Sequence, residues 1–385
     1  MDLYPLDRAR STHEFVDLLE GFHAPALNFV VADSAGSIAQ AIGGWVPDRR
    51  GYDAARPHDG GLSGAGWFGW LGRDALPAVF DPPVGLIVTA NQRTLAPEMW
   101  EKIGGDPAMP WRARRITGLL YQRTNWTAEG LAAMQNDVGD AFLDPTFEVL
   151  ERALTPETIA HDDTLARVRQ LLDGRKPGAD TTSVAHAYLR EARAQLLRLL
   201  VDPLIAPARA ADSTYSYSWG LSDEVVRRLL AERAPNLLDP AYDDYDALVR
   251  VAARRAAASL GAKAPGVPFD RVTWGRVNRA RLHHPLAGVL TALGKWLNFP
   301  DAALAGGSSC VRVARPRSGS AMRLVADLRD PSRSRFALPG GQSGNFQSPH
   351  YSDGFAGWVS GTTVRLEPGP PVHRITLTRA MPASR

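Results

Sequence analysis

Residues 84–94 contain the segment with the clearest chemical potential. Val84-Gly85-Leu86-Ile87-Val88-Thr89-Ala90 is a run rich in β-branched residues, and it stops at Asn91-Gln92-Arg93-Thr94. The run predicts a strand over 84–90 with Asn91 at its mouth. A primary amide there suits a donor aimed at a developing oxyanion: the strand fixes it, the turn leaves it open, and its NH₂ carries no charge to titrate. The plainer reading is that Asn ends a strand because it tolerates turn geometry. A second group lies in Trp111-Arg112-Ala113-Arg114-Arg115-Ile116. The planar five-donor guanidinium of Arg112 can fix an amide oxygen while orienting an acyl or carboxylate group. The same run also reads as a solvated basic helix face.

Other residue combinations carry less. Gly64-Ala65-Gly66-Trp67-Phe68-Gly69 matches GxGxxG, but no strand precedes it and Trp67 stands where a phosphate should approach,. Ser343, His350 and Asp353 are triad residue types in a Gly/Ser-rich segment without a nucleophile elbow,. The side chains of His283 and His284 diverge on a helix or a strand, which disfavours a metal,. Asp239, Asp243, Asp244 and Asp246 lack the Gly and closing Glu of a calcium loop and are better placed to start a helix,. Trp45, Trp67, Phe68 and Trp70 either line an apolar acyl pocket or staple a long loop to the sheet,.

These residues need elements to hold them. Ser11 and Glu14 have capping-box spacing, and Phe15, Leu18, Leu19 and Phe22 follow at helical period, which predicts a helix over 11–22,. Leu27–Ala32 and Ser37–Ile42 flank Asp33-Ser34-Ala35-Gly36 as a β-hairpin,. Residues 43–66 read as loop, and a second loop runs from the 84–90 strand to about 110,. From Thr127 to about 260 the period turns helical, with starts at Thr155-Pro156-Glu157 and Ser222-Asp223-Glu224,. Breaks fall at 178–183 and 238–240. After 268, short extended runs return at Val311–Ala314, Met322–Asp327, Ala356–Ser360, Thr363–Leu366 and His373–Thr378. Strands, then helices, then strands predict an α+β fold: one domain with a helical portion over 126–268, between a sheet portion at 1–125 and a sheet-completing portion at 269–385.

Composition narrows the function classes. A chain of 385 residues with 44% hydrophobic content can bury a sizeable core,. Lys and Arg number 44 against 41 Asp and Glu, a net charge of +3. The basic residues are dispersed, and only four are Lys, so no element reads as a nucleic-acid surface,. The single Cys310 rules out an internal disulfide framework and a thiolate zinc site,. No apolar stretch approaches 18 residues, so no membrane span is expected,. Met1-Asp2-Leu3-Tyr4-Pro5 lacks the basic start and apolar run of a signal peptide, and read by itself the chain would stay in the cytoplasm,.

Several stretches, taken together, carry a family likeness. They are Arg10-Ser11-Thr12-His13-Glu14-Phe15, Ala24–Asp33, Trp67-Phe68-Gly69-Trp70-Leu71-Gly72 with Leu76-Pro77 and Asp81-Pro82-Pro83, the 84–94 segment, Arg112–Ile116 and Met134-Gln135-Asn136-Asp137. Pro339-Gly340-Gly341-Gln342-Ser343-Gly344-Asn345 and Ser348-Pro349-His350-Tyr351 follow near the end. In this order the chain resembles the penicillin acylase family of N-terminal-nucleophile amidohydrolases, and specifically the later part of its β-chain.

The resemblance implies a four-layered α/β/β/α sandwich with helical additions, and hydrolysis of N-acyl amides such as acylated β-lactams or acyl-homoserine lactones. In that family a free N-terminal Ser supplies nucleophile and base together. No residue here matches it, so this chain alone is expected to be inactive. Asn91 matches the family's oxyanion donor, and Arg112 the Arg that supports that Asn beside the substrate. The implied partners are an N-acyl amide and an upstream α-chain or β-chain fragment. Many relatives hold a structural calcium, but the corresponding Trp100-Glu101-Lys102 lacks the expected Asp, so no metal or other cofactor is expected. Complete relatives are typically exported. A non-catalytic remnant acting as a binding or scaffold protein is the rival reading.

Overall fold

The computed structural model describes residues 3–50, 52, 57–215, 222–367 and 376. Two compact units are present, one of residues 1–125 and 133–320, the other of 126–132 and 321–385.

In the first unit a 3₁₀ turn at Leu6–Arg8 precedes helix α1 (Thr12–Leu18), which a further 3₁₀ turn at Leu19–Gly21 extends and which is shorter than the 11–22 helix expected. Ser11 caps it as predicted, its hydroxyl accepting from Glu14 N at 3.1 Å. The Glu14 carboxylate receives Arg10 N at 2.8 Å instead of closing back on Ser11. β1 (Leu27–Ala32) and β2 (Ile38–Gly43) form the expected antiparallel hairpin. Its turn is organised by Asp33, which accepts from Ala35 N and Ser37 N through Oδ1 and from Thr12 N through Oδ2. One carboxylate thus shapes the turn and docks α1 onto the hairpin. Gly36 takes φ 98°, a conformation a Cβ would disfavour,. Phe15, Leu19, Phe22 and Phe29 pack with Ala39 and Ala41 beneath the sheet.

The region expected to be loop over 43–66 contains β3 (Pro47–Arg50), which pairs antiparallel with β4 (Gly66–Trp70) across a register shift. The long connection of Gly, Pro and Asp residues hid a non-local pairing. β5 (Ala78–Phe80) adds to β2, giving the sheet order β1-β2-β5. The strand expected over 84–90 has no ladder partner among the described residues. Its backbone is satisfied by a side chain: Gln92 Oε1 accepts from Ala90 N at 2.6 Å, and Gln92 Nε2 donates to Val88 O at 3.0 Å. The supposed second loop also holds α2 (Pro97–Ile103), started by Pro97 and stopped by Gly104 at φ 79°.

α3 (Trp111–Leu120) leads towards the helical body. α4 (Ala128–Met134) crosses the unit boundary in sequence. α5 (Asp144–Ala153), α6 (Pro156–Ile159), α7 (Asp163–Asp173), α8 (Val184–Ala211), α9 (Ser222–Glu232) and α10 (Tyr245–Lys263) match the predicted helical stretch. Thr155 caps α6 as expected, and Asp244 caps α10, accepting from Ala247 N at 2.6 Å. α10 lays Ala252, Ala253 and Ala256 against α8, where small side chains permit close approach. Tyr188 fills the space beside them and donates its hydroxyl to Ala253 O at 3.0 Å,. α11 (Trp274–Val277), α12 (Gly294–Leu297) and a small ribbon of β6 (Ala314–Arg315) and β7 (Ser318–Gly319) complete this unit. Of the strand expected at Val311–Ala314, only Ala314 joins a ladder.

In the second unit, β8 (Arg323–Val325), β9 (Arg335–Ala337) and β10 (Val364–Arg365) form an antiparallel sheet of order β10-β9-β8. Ala356–Ser360, expected as strand, lies within helix α13 (Phe355–Ser360). Phe355 and Trp358, three residues apart, are both buried, which is helical spacing, and Gly361 closes the helix at φ 86°,. Buried Arg323 donates to Trp358 O at 2.8 Å. The strand expected at His373–Thr378 lies outside the described residues, Thr376 excepted. Helices and small antiparallel sheets bear out the α+β class. No helix among the described residues is long and apolar enough to cross a membrane.

Candidate active site

Asn91 follows the Gln92-braced segment and takes φ 67°. Asn enters this left-handed region far more readily than a β-branched residue does. Its backbone is pinned where Ala108 N donates to Asn91 O at 2.7 Å. From α3, Arg112 Nη2 donates to Asn91 Oδ1 and to Ala90 O, both at 2.8 Å. The structure therefore joins the two residues that the sequence singled out across 21 positions.

This contact fixes the amide's orientation. A guanidinium has only donors, so the Asn91 atom facing it must be the oxygen. With Oδ1 so engaged, the amide nitrogen has no acceptor among the described residues and remains a donor. Asn91 is exposed and Ala90 beneath it is buried, so the donor points out from a fixed base. Burial, together with the nearby Arg315, pulls the Arg112 guanidinium below its ordinary value. Arginine nevertheless stays cationic at neutral pH.

Asn91, Asp106 and Pro107 belong to two cavities at once. One, of about 350 Å³, is lined further by Met109, Trp111, Arg112, Phe142, Asp223, Ser308 and Ser309. The other, of about 470 Å³, has Leu27, Ile42, Leu95, Trp100 and Ile103 on its wall beside Asn28, Thr89, Gln92 and Thr94. The arrangement sets a neutral donor between a chamber that carries Arg112 and Asp223 and one whose wall holds more aliphatic side chains.

Trp111 edges onto Phe142 with ring centroids 6.2 Å apart, tying α3 to the helical body. Its indole N–H is buried without a partner among the described residues and belongs to a residue on the charged chamber's wall. Behind Phe142, Asp140 Oδ2 and His186 Nε2 lie 3.9 Å apart, both buried. Burial raises the Asp140 carboxyl. Burial first, then the field of Arg190, lowers His186 to about 3, so His186 is neutral near pH 7. Asp223 on α9 accepts from the buried Arg193 at 2.6 Å.

The remaining sequence candidates lie elsewhere. Trp67 and Trp70 of β4 pack with Trp45 and His23 at tilted angles in an exposed cluster, with ring centroids from 4.4 to 5.8 Å apart. Arg50 sits over Phe68 at 5.2 Å. None of Trp67, Phe68 and Trp70 lines either cavity at Asn91. In the second unit, His350 Nδ1 and Asp353 Oδ2 are 2.8 Å apart, while the Ser343 hydroxyl accepts from Asn345 N and makes no bond to His350 among the described residues. His284 Nδ1 accepts from Leu286 N at 3.1 Å, a local cap. Among the described residues no group of three or more His, Cys, Asp or Glu is placed to hold a metal.

Sequence reasoning missed Gln92, Trp111, Phe142, Asp223 and Ser309. Gln92 alone left a signal: its side chain lies two and four residues from the backbone groups it satisfies.

A profile of the penicillin amidase family matches residues 1–369. Penicillin acylase 2 proenzyme of Pseudomonas sp. (strain SE83) is 28% identical over 368 residues, covering 91% of this chain and 45% of that protein. The acyl-homoserine lactone acylase QuiP of Pseudomonas putida is 25% identical, over 94% of this chain and 47% of its own length. The chain thus spans slightly under half the length of these curated relatives. A thermostable penicillin G acylase from Alcaligenes faecalis superposes with a TM-score of 0.64 at 17% identity, covering 97% of this chain and 71% of that one.

Proposed function

The chain belongs to the penicillin amidase family, a family of acyl-amide hydrolases with the N-terminal-nucleophile fold, and from that premise we propose that it forms the oxyanion-binding part of an N-acyl amide hydrolase. The observation that carries this reading is the Arg112–Asn91 hydrogen bond, which leaves the Asn91 amide nitrogen as a fixed neutral donor. A tetrahedral intermediate of acyl transfer needs such a donor where the carbonyl oxygen becomes negative. A donor already oriented does not have to reorganise as that charge forms.

The chamber lined by Leu27, Ile42, Leu95 and Ile103 suits an acyl group, and the one with Arg112 and Asp223 suits the amine half. Acylated β-lactams and acyl-homoserine lactones, the substrates suggested by the relatives' names, share this division. We assign the attacking hydroxyl to the N-terminal Ser of polypeptide outside residues 1–385, an α-chain or β-chain fragment that completes the enzyme. The exposed apolar side chains of Val30 on β1 and Val79 on β5, which share one sheet face beside Gln40, support a covering polypeptide there,.

The test is hydrolysis of phenylacetyl, glutaryl and long-chain acyl amides by the purified chain, alone and co-expressed with family polypeptide from upstream. The chain alone should give no turnover, because oxyanion donors without a nucleophile leave only a small residual acceleration. Turnover by the chain alone that is abolished by Ser308→Ala, Ser309→Ala or Ser343→Ala would place the nucleophile within it and overturn the proposal. An intact complex with no amidase activity would favour the scaffold reading.

A further inference from the structure

Away from Asn91, a cavity of about 490 Å³ is bounded by α8, α10, α11 and the segment that follows α11. Its wall carries four cationic residues, Arg190, Lys263, Arg276 and Arg281, and one carboxylate, Glu191. That carboxylate is already engaged, since it accepts from Lys263 Nζ and from Gln195 Nε2. Among the described residues, no Asp or Glu lies within ion-pair reach of Arg190, Arg276 or Arg281. The contrast with neighbouring guanidiniums is local and specific. Arg279, between Arg276 and Arg281 in sequence, is taken by Asp301 at 2.9 Å, and Arg193, three residues after Arg190, by Asp223 at 2.6 Å.

Arg276 and Arg281 have no acidic partner among the described residues, Arg190 is balanced only in part by the field of Asp140, and the three come from separate, well-fixed pieces of backbone. Arg190 projects from α8 with its guanidinium 5.4 Å over the Phe142 ring. Arg276 is on α11, which Trp274 anchors by donating its indole N–H to Gly306 O at 2.8 Å. Arg281 follows buried Asn278, whose amide donates to Leu304 O at 3.0 Å, and its own N–H donates to Pro316 O at 2.5 Å. An anion on a wall shared by several cations can accept from more than one guanidinium fork,.

We propose that this cavity binds a small, multiply charged oxyanion of the phosphate type, held by Arg190, Arg276 and Arg281. Guanidinium geometry matches tetrahedral phosphate oxygens bidentately, and three cations match the charge of a phosphate dianion or ester better than that of chloride. The cavity is larger than a bare phosphate requires, which leaves room for an organic ester group beside Trp274 and Pro316. This cavity shares no lining residue with the two at Asn91, and its occupancy is read without any amidase activity.

The experiment is calorimetric titration of the full 385-residue chain with inorganic phosphate and with phenyl phosphate, at ionic strength held constant with sodium chloride. Both should bind and raise the melting temperature above the chloride control. Tighter binding of phenyl phosphate would identify an ester as the occupant, and equal or weaker binding would identify free phosphate. Arg276 and Arg281 are exposed, so Arg276→Gln and Arg281→Gln should fold. Each should weaken binding by about tenfold, as loss of one charge-assisted contact does. No binding of either compound, a shift matched by chloride, or unchanged affinity in both variants would overturn the proposal.

Discussion

In the helical body, Leu150, Leu165, Val168, Leu248 and Ala252 are completely buried, each held by several helices at once. The N-terminal sheet buries only one face: Ala39 and Ala41 point into its small core, while Val30 and Val79, paired with Gln40 on the other face, stay 50 and 49% exposed. The β3–β4 ribbon beside it exposes Trp67 and Trp70 as well. The difference shows where the candidate site obtains its rigidity. Asn91 stands on a segment with no ladder partner, so the sheet does not fix it. It is held instead by Arg112 on α3, which Trp111 anchors on Phe142 at the edge of the helical core.

Truncating the two regions should break or sharpen that contrast most directly. Leu165→Ala or Leu248→Ala removes a fully buried side chain from a wall that cannot collapse. A loss of about 2–5 kcal/mol is expected in denaturant unfolding. Val30→Ala on the exposed sheet face should change stability by less than about 0.5 kcal/mol. Equal losses at both places would show that the sheet face is covered in solution.

Asn91→Ala comes next, measured in the proposed complex with family polypeptide from upstream. The contact proposed for Asn91 forms mainly in the transition state, so kcat should fall on the order of 10²–10³-fold with little change in KM or melting temperature. A drop in melting temperature with kcat intact would reduce Asn91 to a turn residue.

Arg112 should behave differently because it both orients Asn91 and faces the charged chamber. Arg112→Ala is expected to worsen kcat and KM together, each by about tenfold. Arg112→Lys should recover part of KM but not of kcat, since an ammonium keeps the charge and loses the planar fork. Identical kinetics for the two variants would remove the orienting role.

The smallest effect belongs to the second unit. The Arg335 guanidinium beside Glu129 holds its carboxyl down at about 2, against an ordinary value of 4.5. A carboxyl lowered in the folded state contributes stability that is complete above its unfolded value and lost as pH falls through the folded one. Acid titration of the second unit's unfolding should therefore show a shallow loss between about pH 4.5 and 2, and Glu129→Gln should flatten it. An unchanged acid profile in Glu129→Gln would show that this exposed pair contributes nothing measurable.

Much of the scaffold was legible where the signal is local. Ser11, Thr155 and Asp244 each cap a helix through a contact three residues away, and Asp33 shapes its own turn. The amphipathic period of α5, α7 and α9 marks their buried faces for the same reason. For the candidate site, residue type and position pointed to Asn91 and Arg112, but the charged chamber's Trp111, Phe142, Asp223 and Ser309 left no pattern in the chain. Those residues meet only after α3, the Asp140–Phe142 turn, α9 and the 308–309 segment have packed together.

The sequence by itself determined the helix starts, the first hairpin, the helical middle and the two polar residues suited to oxyanion chemistry. Each of these depends on groups within a few positions of one another, or on residue type alone. Tertiary structure decided that 84–90 runs without a ladder, that 47–50 and 66–70 pair, and that 355–360 coils into a helix. It also decided that Arg112 meets the oxygen of Asn91 and leaves the nitrogen to donate. Strand pairing and side-chain hydrogen bonds across 20 or more residues depend on which surfaces are brought face to face, and no short stretch of sequence encodes that.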